Sequence, residues 1–205
     1  MKKILVVNPK GGCGKTTLAT NLSSYYALWE VDVALVDCDP QRSSSEWLDR
    51  RSDQWNPIVK VDGTKGKIPF SSIKADRIII DAPARTTDQQ TGRWFEQADV
   101  VLIPVLPSSI DIRAMGHFIG QLMIGEMLKQ ARVGLVANRV KKNTVVFKNL
   151  ERFLSSLNIP LVTHIRDSQN YIRAAEGGFG IFEMSPYQAD KEVDQWRSLI
   201  EWIEK

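Results

Sequence analysis

Short β-branched, apolar runs alternate along the chain with stretches in which apolar residues recur every three or four positions. KILVVN (3–8) and VDVALVD (31–37) are two such runs. Between them KTTLATNLSSYYALW places Leu18, Leu22, Tyr25 or Tyr26, and Trp29 near helical spacing, which predicts a strand, helix, strand unit. PIVKV (57–61), DRIIID (76–81), DVVLIPV (99–105), RVGLVAN (132–138) and PLVTHI (160–165) read as further strands. Helices are expected near 43–51, 110–130, 144–157, 168–176 and 187–204, and residues 62–75 as an irregular surface connection. Strands of continuous Val, Ile and Leu separated by helices imply a sheet buried on both faces. The expected fold is therefore α/β, a doubly wound, mainly parallel sheet with helices on both faces. No linker divides the chain, so residues 1–205 are expected to form one domain.

Composition narrows the function classes. With 205 residues, 43% of them hydrophobic and 25% charged, the chain has the length and apolar content for one core, which excludes a disordered or repeat protein. Neither a membrane-length apolar run nor a cleavable leader is evident, so the protein is expected in the cytosol. Cys13 and Cys38 stand too far apart for a CxxC redox or zinc pair and are expected as reduced thiols. His117 and His164 stand alone, which argues against a metal cage of side chains.

The chemistry concentrates where strands end. NPKGGCGKTT (8–17) departs from the phosphate-loop template Gly-x-x-x-x-Gly-Lys-[Ser/Thr] at one position, Pro9, and carries two lysines, Lys10 and Lys15. Gly11, Gly12 and Gly14 follow the first strand and open the first helix, so backbone N–H groups, that of Cys13 included, can aim at phosphate oxygens while the helix dipole favours the anion. Lys15 is expected to neutralise the β- and γ-phosphates, Thr16 to offer its hydroxyl to Mg²⁺, and Thr17 to donate to a phosphate nearer the ribose. LVDCDPQ ends the second strand with Asp37 and Asp39, and IIIDAPA ends a later one with Asp81. Asp81 is expected to hold the metal, directly or through its waters, and Asp39 to orient the attacking water. Asp37 either braces the loop or completes the metal shell, and a turn or N-cap aspartate is equally consistent with its position.

KGGCGKTT (10–17), DCDPQ (37–41), IIIDAPA (78–84) and VLIPVLPSS (101–109), in that order, resemble the deviant phosphate loop, its aspartate-bearing partner, the magnesium motif and the following switch segment of the ParA/MinD partition ATPases. ANRV (137–140) is similar to that family's adenine-contacting strand end, which points to Asn138, and IRAAEGGFGIFE (172–183) to its C-terminal signature region. The resemblance implies ATP and Mg²⁺ as cofactors and weak hydrolysis stimulated by a ParB-like or adaptor protein. It also implies a homodimer formed with ATP, in which Lys10 reaches the phosphates bound by the other subunit. A lysine supplied in trans acts only when two loaded subunits face each other, so nucleotide state becomes association state.

Charge bears on what such a dimer would hold. From Lys129 to Arg173 there are nine Lys or Arg against two acids, a local +7 in a protein of net charge +3. That asymmetry suits sequence-independent contact with a phosphate backbone. Lys141, Lys142, Lys148, Arg166 and Arg173 are the expected DNA contacts, in keeping with nonspecific DNA binding by the family's partition members and a nucleoid-associated protein. The family's MinD-like members bind membranes through a C-terminal amphipathic helix. The tail DKEVDQWRSLIEWIEK has Trp196, Leu199, Ile200, Trp202 and Ile203, but five acids face three bases, and an anionic leaflet needs a basic polar face. The tail is expected to close the fold against the sheet. A metabolic ligase or kinase would need its own acid and base residues beyond those claimed by ATP, and none stands out; an electron-transfer ATPase would need cysteines free to hold an iron–sulfur cluster.

Overall fold

The structure, a computed structural model, describes residues 1–65, 68, 70–84 and 88–205, and for 88 and 89 the backbone alone. The elements in order are β1 (Lys2–Val6), α1 (Lys15–Leu28), β2 (Val33–Asp37), α2 (Ser43–Asp49), β3 (Val59–Asp62), β4 (Arg77–Asp81), α3 (Asp88–Gln97), β5 (Val100–Val105), α4 (Ser109–Ile124), β6 (Arg132–Val140), α5 (Val145–Ser156), β7 (Leu161–Arg166), α6 (Gln169–Gly177) and α7 (Pro186–Glu204). All seven described strands lie in one sheet of order β3-β2-β4-β1-β5-β6-β7, paired in parallel throughout.

Successive side chains of a strand face opposite sides of a sheet. Leu5, Ile78, Ile80, Val101 and Ile103 enter one core with Phe95 of α3, Phe118 and Leu122 of α4, and Leu150 and Leu154 of α5. Ile4, Val6, Ile79 and Leu102 enter the other with Leu18 and Leu22 of α1 and with Trp196, Leu199 and Ile203 of α7. Every central strand is thus buried on both faces, which is why it reads as an unbroken apolar run. Trp196, Leu199, Ile200 and Ile203 of α7 are buried here and Trp202 is half-buried, and the helix closes the fold against β7 as its charge pattern predicted.

Two elements differ from expectation. α3 was not predicted: DQQTGRWFEQ offers too few apolar positions for a periodic signal, and fully buried Phe95 is what anchors it. The single helix expected over 110–130 ends at Ile124, because Gly125 and a left-handed Glu126 (φ 55°) divert the chain into a short turn before β6. In the expected connection, Gly66, Lys67 and Pro69 lie outside the described residues, and Phe70–Ser72 forms one 3₁₀ turn.

From β1 the chain crosses to β2 on one side, and β5 then lies on the other side of β1. Such a reversal of winding opens a crevice at the carboxyl ends of the strands, the usual ligand position in doubly wound sheets.

Candidate functional site

The crevice beyond β1, β2 and β4 has a volume of about 850 Å³ and is lined by Gly11, Gly12, Gly14, Lys15, Thr16 and Thr17 from one side and by Asp39, Pro83 and Ala84 from others. Its floor is the β1–α1 loop. Gly12 and Gly14 have φ of 77° and 96°, and a Cβ on Gly14 would collide with Asn138 Nδ2, so this turn can be made only with glycine there. Asn138 sits behind the loop, buried at the end of β6, where its Nδ2 donates to the Cys13 carbonyl at 2.8 Å and its Oδ1 accepts from the Arg139 amide at 2.9 Å. Cys13 is buried, and burial pushes its thiol above the ordinary range, so its contribution to the cleft is the backbone. Lys15 opens α1 and donates to the Lys10 carbonyl at 3.3 Å.

Parallel register brings the two strand-end carboxylates side by side, Asp37 opposite Asp81. Thr16 donates its hydroxyl to Asp81 Oδ2 at 2.8 Å, so two of the three residues expected around the metal meet at the foot of the loop. Asp81 is buried, and its other oxygen, Oδ1, has no hydrogen-bond partner among the described residues. Burial pushes its carboxyl up to about 7, with the Asp37 carboxylate adding to the rise and the Thr16 hydroxyl opposing it. A buried carboxylate with a free oxygen favours a cation. Among the described residues no three His, Cys, Asp or Glu side chains could cage one. This set fits Mg²⁺ held by one carboxylate, one hydroxyl and oxygens of a bound phosphate.

Asp37 and Asp39 divide differently. Both oxygens of buried Asp37 accept backbone N–H groups, from Asp39 at 3.1 Å and Ser45 at 2.8 Å, so it braces the loop onto α2. Asp39 is half-buried in the cleft wall and accepts from the Gln41 amide at 2.9 Å. Lys10 stands on the rim one residue before Gly11, its Nζ 2.7 Å from Asp111 Oδ2.

The basic stretch does not form one surface. Lys129 pairs with Glu126 at the amino ends of the strands, Arg132 stacks over Trp202 at 4.4 Å, and Arg139 lines the nucleotide crevice. Lys141, Lys142 and Arg166 do come together, in a groove completed by Lys191 of α7, although Arg166 faces Glu192 at 3.7 Å and Lys141 faces Asp167 at 3.5 Å. Lys148 on α5 and Arg173 on α6 are exposed on different helices. Arg139, Lys191 and Asp111 were not singled out from sequence; Arg139 lay hidden in the charge count, and its place after Asn138 at the end of β6 was the available signal.

Comparison with known proteins agrees with this geometry. The family model described as the CobQ/CobB/MinD/ParA nucleotide binding domain matches residues 4–179. The maintenance of carboxysome distribution protein A of Halothiobacillus neapolitanus is 30% identical over 197 residues, covering 88% of this chain and 87% of its own. Among solved structures, a plasmid partition protein of Borrelia burgdorferi B31 bound to AMPPNP superposes with a TM-score of 0.74 at 18% identity, covering 98% of both chains. The MinD cell division protein of Aquifex aeolicus gives 0.75 at 21%, covering 98% of this chain and 97% of its own. At those identities the structures speak for the fold.

Proposed function

The chain belongs to the CobQ/CobB/MinD/ParA family of nucleotide-binding domains, and on that premise we propose that it is an ATP-dependent dimerising switch that positions or segregates a cargo on DNA. The observation that carries this reading is the Thr16–Asp81 pair at the foot of a glycine loop that holds Lys15 and is preceded by a second lysine, Lys10. Thr16 and Asp81 would hold Mg²⁺, which when bound neutralises phosphate charge. Backbone N–H groups of Gly11–Thr17, with Lys15, bind the triphosphate; Asn138 keeps the loop in shape, and Asp37 fixes the segment that carries Asp39. Asp39 accepts a proton-bearing hydrogen bond from water and orients it towards the γ-phosphate. Among the described residues that line the crevice Asp39 is the one carboxylate, which accords with weak hydrolysis that a partner protein accelerates.

Lys10 lies outside the Gly-Lys-Thr step, and its role is in trans, on the nucleotide of a second copy. Two loaded protomers then double the basic grooves of Lys141, Lys142 and Arg166 presented to DNA, and the second groove binds at high effective concentration. The carboxysome-distribution relative makes a large protein assembly a cargo of equal standing with a plasmid. No described helix is long and apolar enough to cross a membrane, and Trp196, Leu199, Ile200 and Ile203 of α7 are spent on the core rather than offered to a leaflet.

Light scattering with Mg²⁺ and ADP, and then with Mg²⁺ and a nonhydrolysable ATP analogue, tests the switch. The mass should double only with the analogue; a monomer under both conditions, with nucleotide bound, would refute it.

A further inference from the structure

Lys10 is already engaged within its own protomer. Its Nζ lies 2.7 Å from Asp111 Oδ2, and its backbone N donates to Asn8 Oδ1 at 2.9 Å. Asn8 is itself fixed by a 2.7 Å bond from its Nδ2 to the Pro104 carbonyl at the end of β5. Asp111 sits in the first turn of α4, its side chain only 6% exposed against 32% for Lys10. The Ser108 hydroxyl donates to its carboxylate, and its own amide donates to Ser108 Oγ at 3.1 Å, so the carboxylate is held on a rigid helix end.

We infer that Asp111 is a positioning residue that holds Lys10 in cis and must release it before Lys10 can reach the nucleotide of a second copy. The inference rests on the trans role of Lys10 proposed above. If Lys10 leaves, a buried carboxylate loses its counter-ion, and an unpaired buried charge is costly. Release therefore has to be offset by stronger attraction elsewhere. A triphosphate across the interface carries more negative charge than a diphosphate, so the Lys10–Asp111 pair sets a threshold that ATP passes and ADP does not. Without that counter-charge Lys10 would be free for either nucleotide, and the dimer would discriminate less.

Asp111→Asn removes the charge while keeping an amide oxygen for the Ser108 hydroxyl. Taking roughly five-fold for each pair released, the low end of couplings between sites, the two pairs of a dimer give about a 25-fold rise in the dimerisation constant with a nonhydrolysable ATP analogue. A measurable dimer should also appear with ADP. In a Lys10→Ala background the same substitution should change nothing, whereas a simple effect on the start of α4 would act in both backgrounds alike. Asp111→Ser, which keeps a hydroxyl but no charge, should shift dimerisation in the same direction and replaces Asp111→Asn should the latter fail to fold. Sedimentation velocity across a concentration series reads the wild type and every variant. The inference is overturned if Lys10→Ala abolishes the dimer while neither Asp111 variant strengthens it, or if the rise is the same with and without Lys10. If Lys10→Ala dimerises as the wild type does, the trans role itself falls, and the latch with it.

Discussion

Replacing Asp81 by Asn should make the protein more stable and less able to bind Mg²⁺-nucleotide. Burial raises the Asp81 carboxyl from its ordinary value of 3.8 to about 7. Well below its ordinary value of 3.8 the group is protonated in both the folded and the unfolded chain and distinguishes neither. Between about 4 and 7 the unfolded chain gives up the proton while the folded chain keeps it, so wild-type stability falls as pH rises across that window. Above about 7 both states are ionised and the folded protein carries the full penalty. At about 1.4 kcal/mol per pH unit, the rise from 3.8 to about 7 corresponds to about 4 kcal/mol. Asn cannot ionise, and its amide oxygen can still accept from the Thr16 hydroxyl, so the variant escapes this penalty. Urea unfolding in a chelator, at pH 4 and at pH 8, measures the effect: the two proteins should differ by less than about 1 kcal/mol at pH 4, and the variant should gain up to about 4 kcal/mol at pH 8. A gap of the same size at both pH values, or a variant less stable at pH 8, would refute the reasoning. Adding Mg²⁺ and ATP should then stabilise the wild type far more than the variant, since ligand binding to the folded state raises its stability.

Lys15→Ala should lower ATP affinity by at least about a hundred-fold, read by fluorescence titration, because charge-assisted bonds to phosphate are worth about 1.5–3 kcal/mol each and the loop loses its only lysine inside the Gly-Lys-Thr step. Asp39→Ala should bind ATP normally, hydrolyse it at least about a hundred-fold more slowly and persist as a dimer; turnover at the wild-type rate in a phosphate-release assay would show that another group orients the water. Charge reversal of Lys141 and Lys142 removes up to about four phosphate contacts per dimer, so the slope of log affinity for DNA against log salt should flatten by about 3 to 4, without loss of the ATP dimer in light scattering. Gly14→Ala should abolish nucleotide binding and lower the melting temperature, because a Cβ at φ 96° collides with Asn138; a melting temperature equal to that of the wild type would contradict the bracing role of Asn138.

The central strands were legible because β1, β2, β4 and β5 are buried on both faces and so carry almost only Val, Ile, Leu and Ala between their end residues. The nucleotide loop was legible for a different reason: the turn from β1 to α1 demands glycine at fixed places, and phosphate demands lysine and threonine beside it. α3 was not, since one fully buried ring, Phe95, can anchor a helix whose other residues are mostly polar. Contiguity in sequence did not make the basic stretch one surface: three of its nine basic residues belong to the amino ends of the strands, an aromatic stack and the crevice wall, because a strand of nine residues carries its ends far apart. Asp111 left no sequence signal, as its pairing with Lys10 depends on β1 and β5 being neighbours in the sheet.

Sedimentation of the protein with a fluorescent duplex of arbitrary sequence, in Mg²⁺ with either ADP or a nonhydrolysable ATP analogue, tests the central claim most directly, because mass and DNA occupancy are read from one boundary. The account predicts a monomer boundary free of DNA in ADP and a dimer boundary that carries DNA with the analogue. A monomer that carries DNA equally with both nucleotides would contradict it.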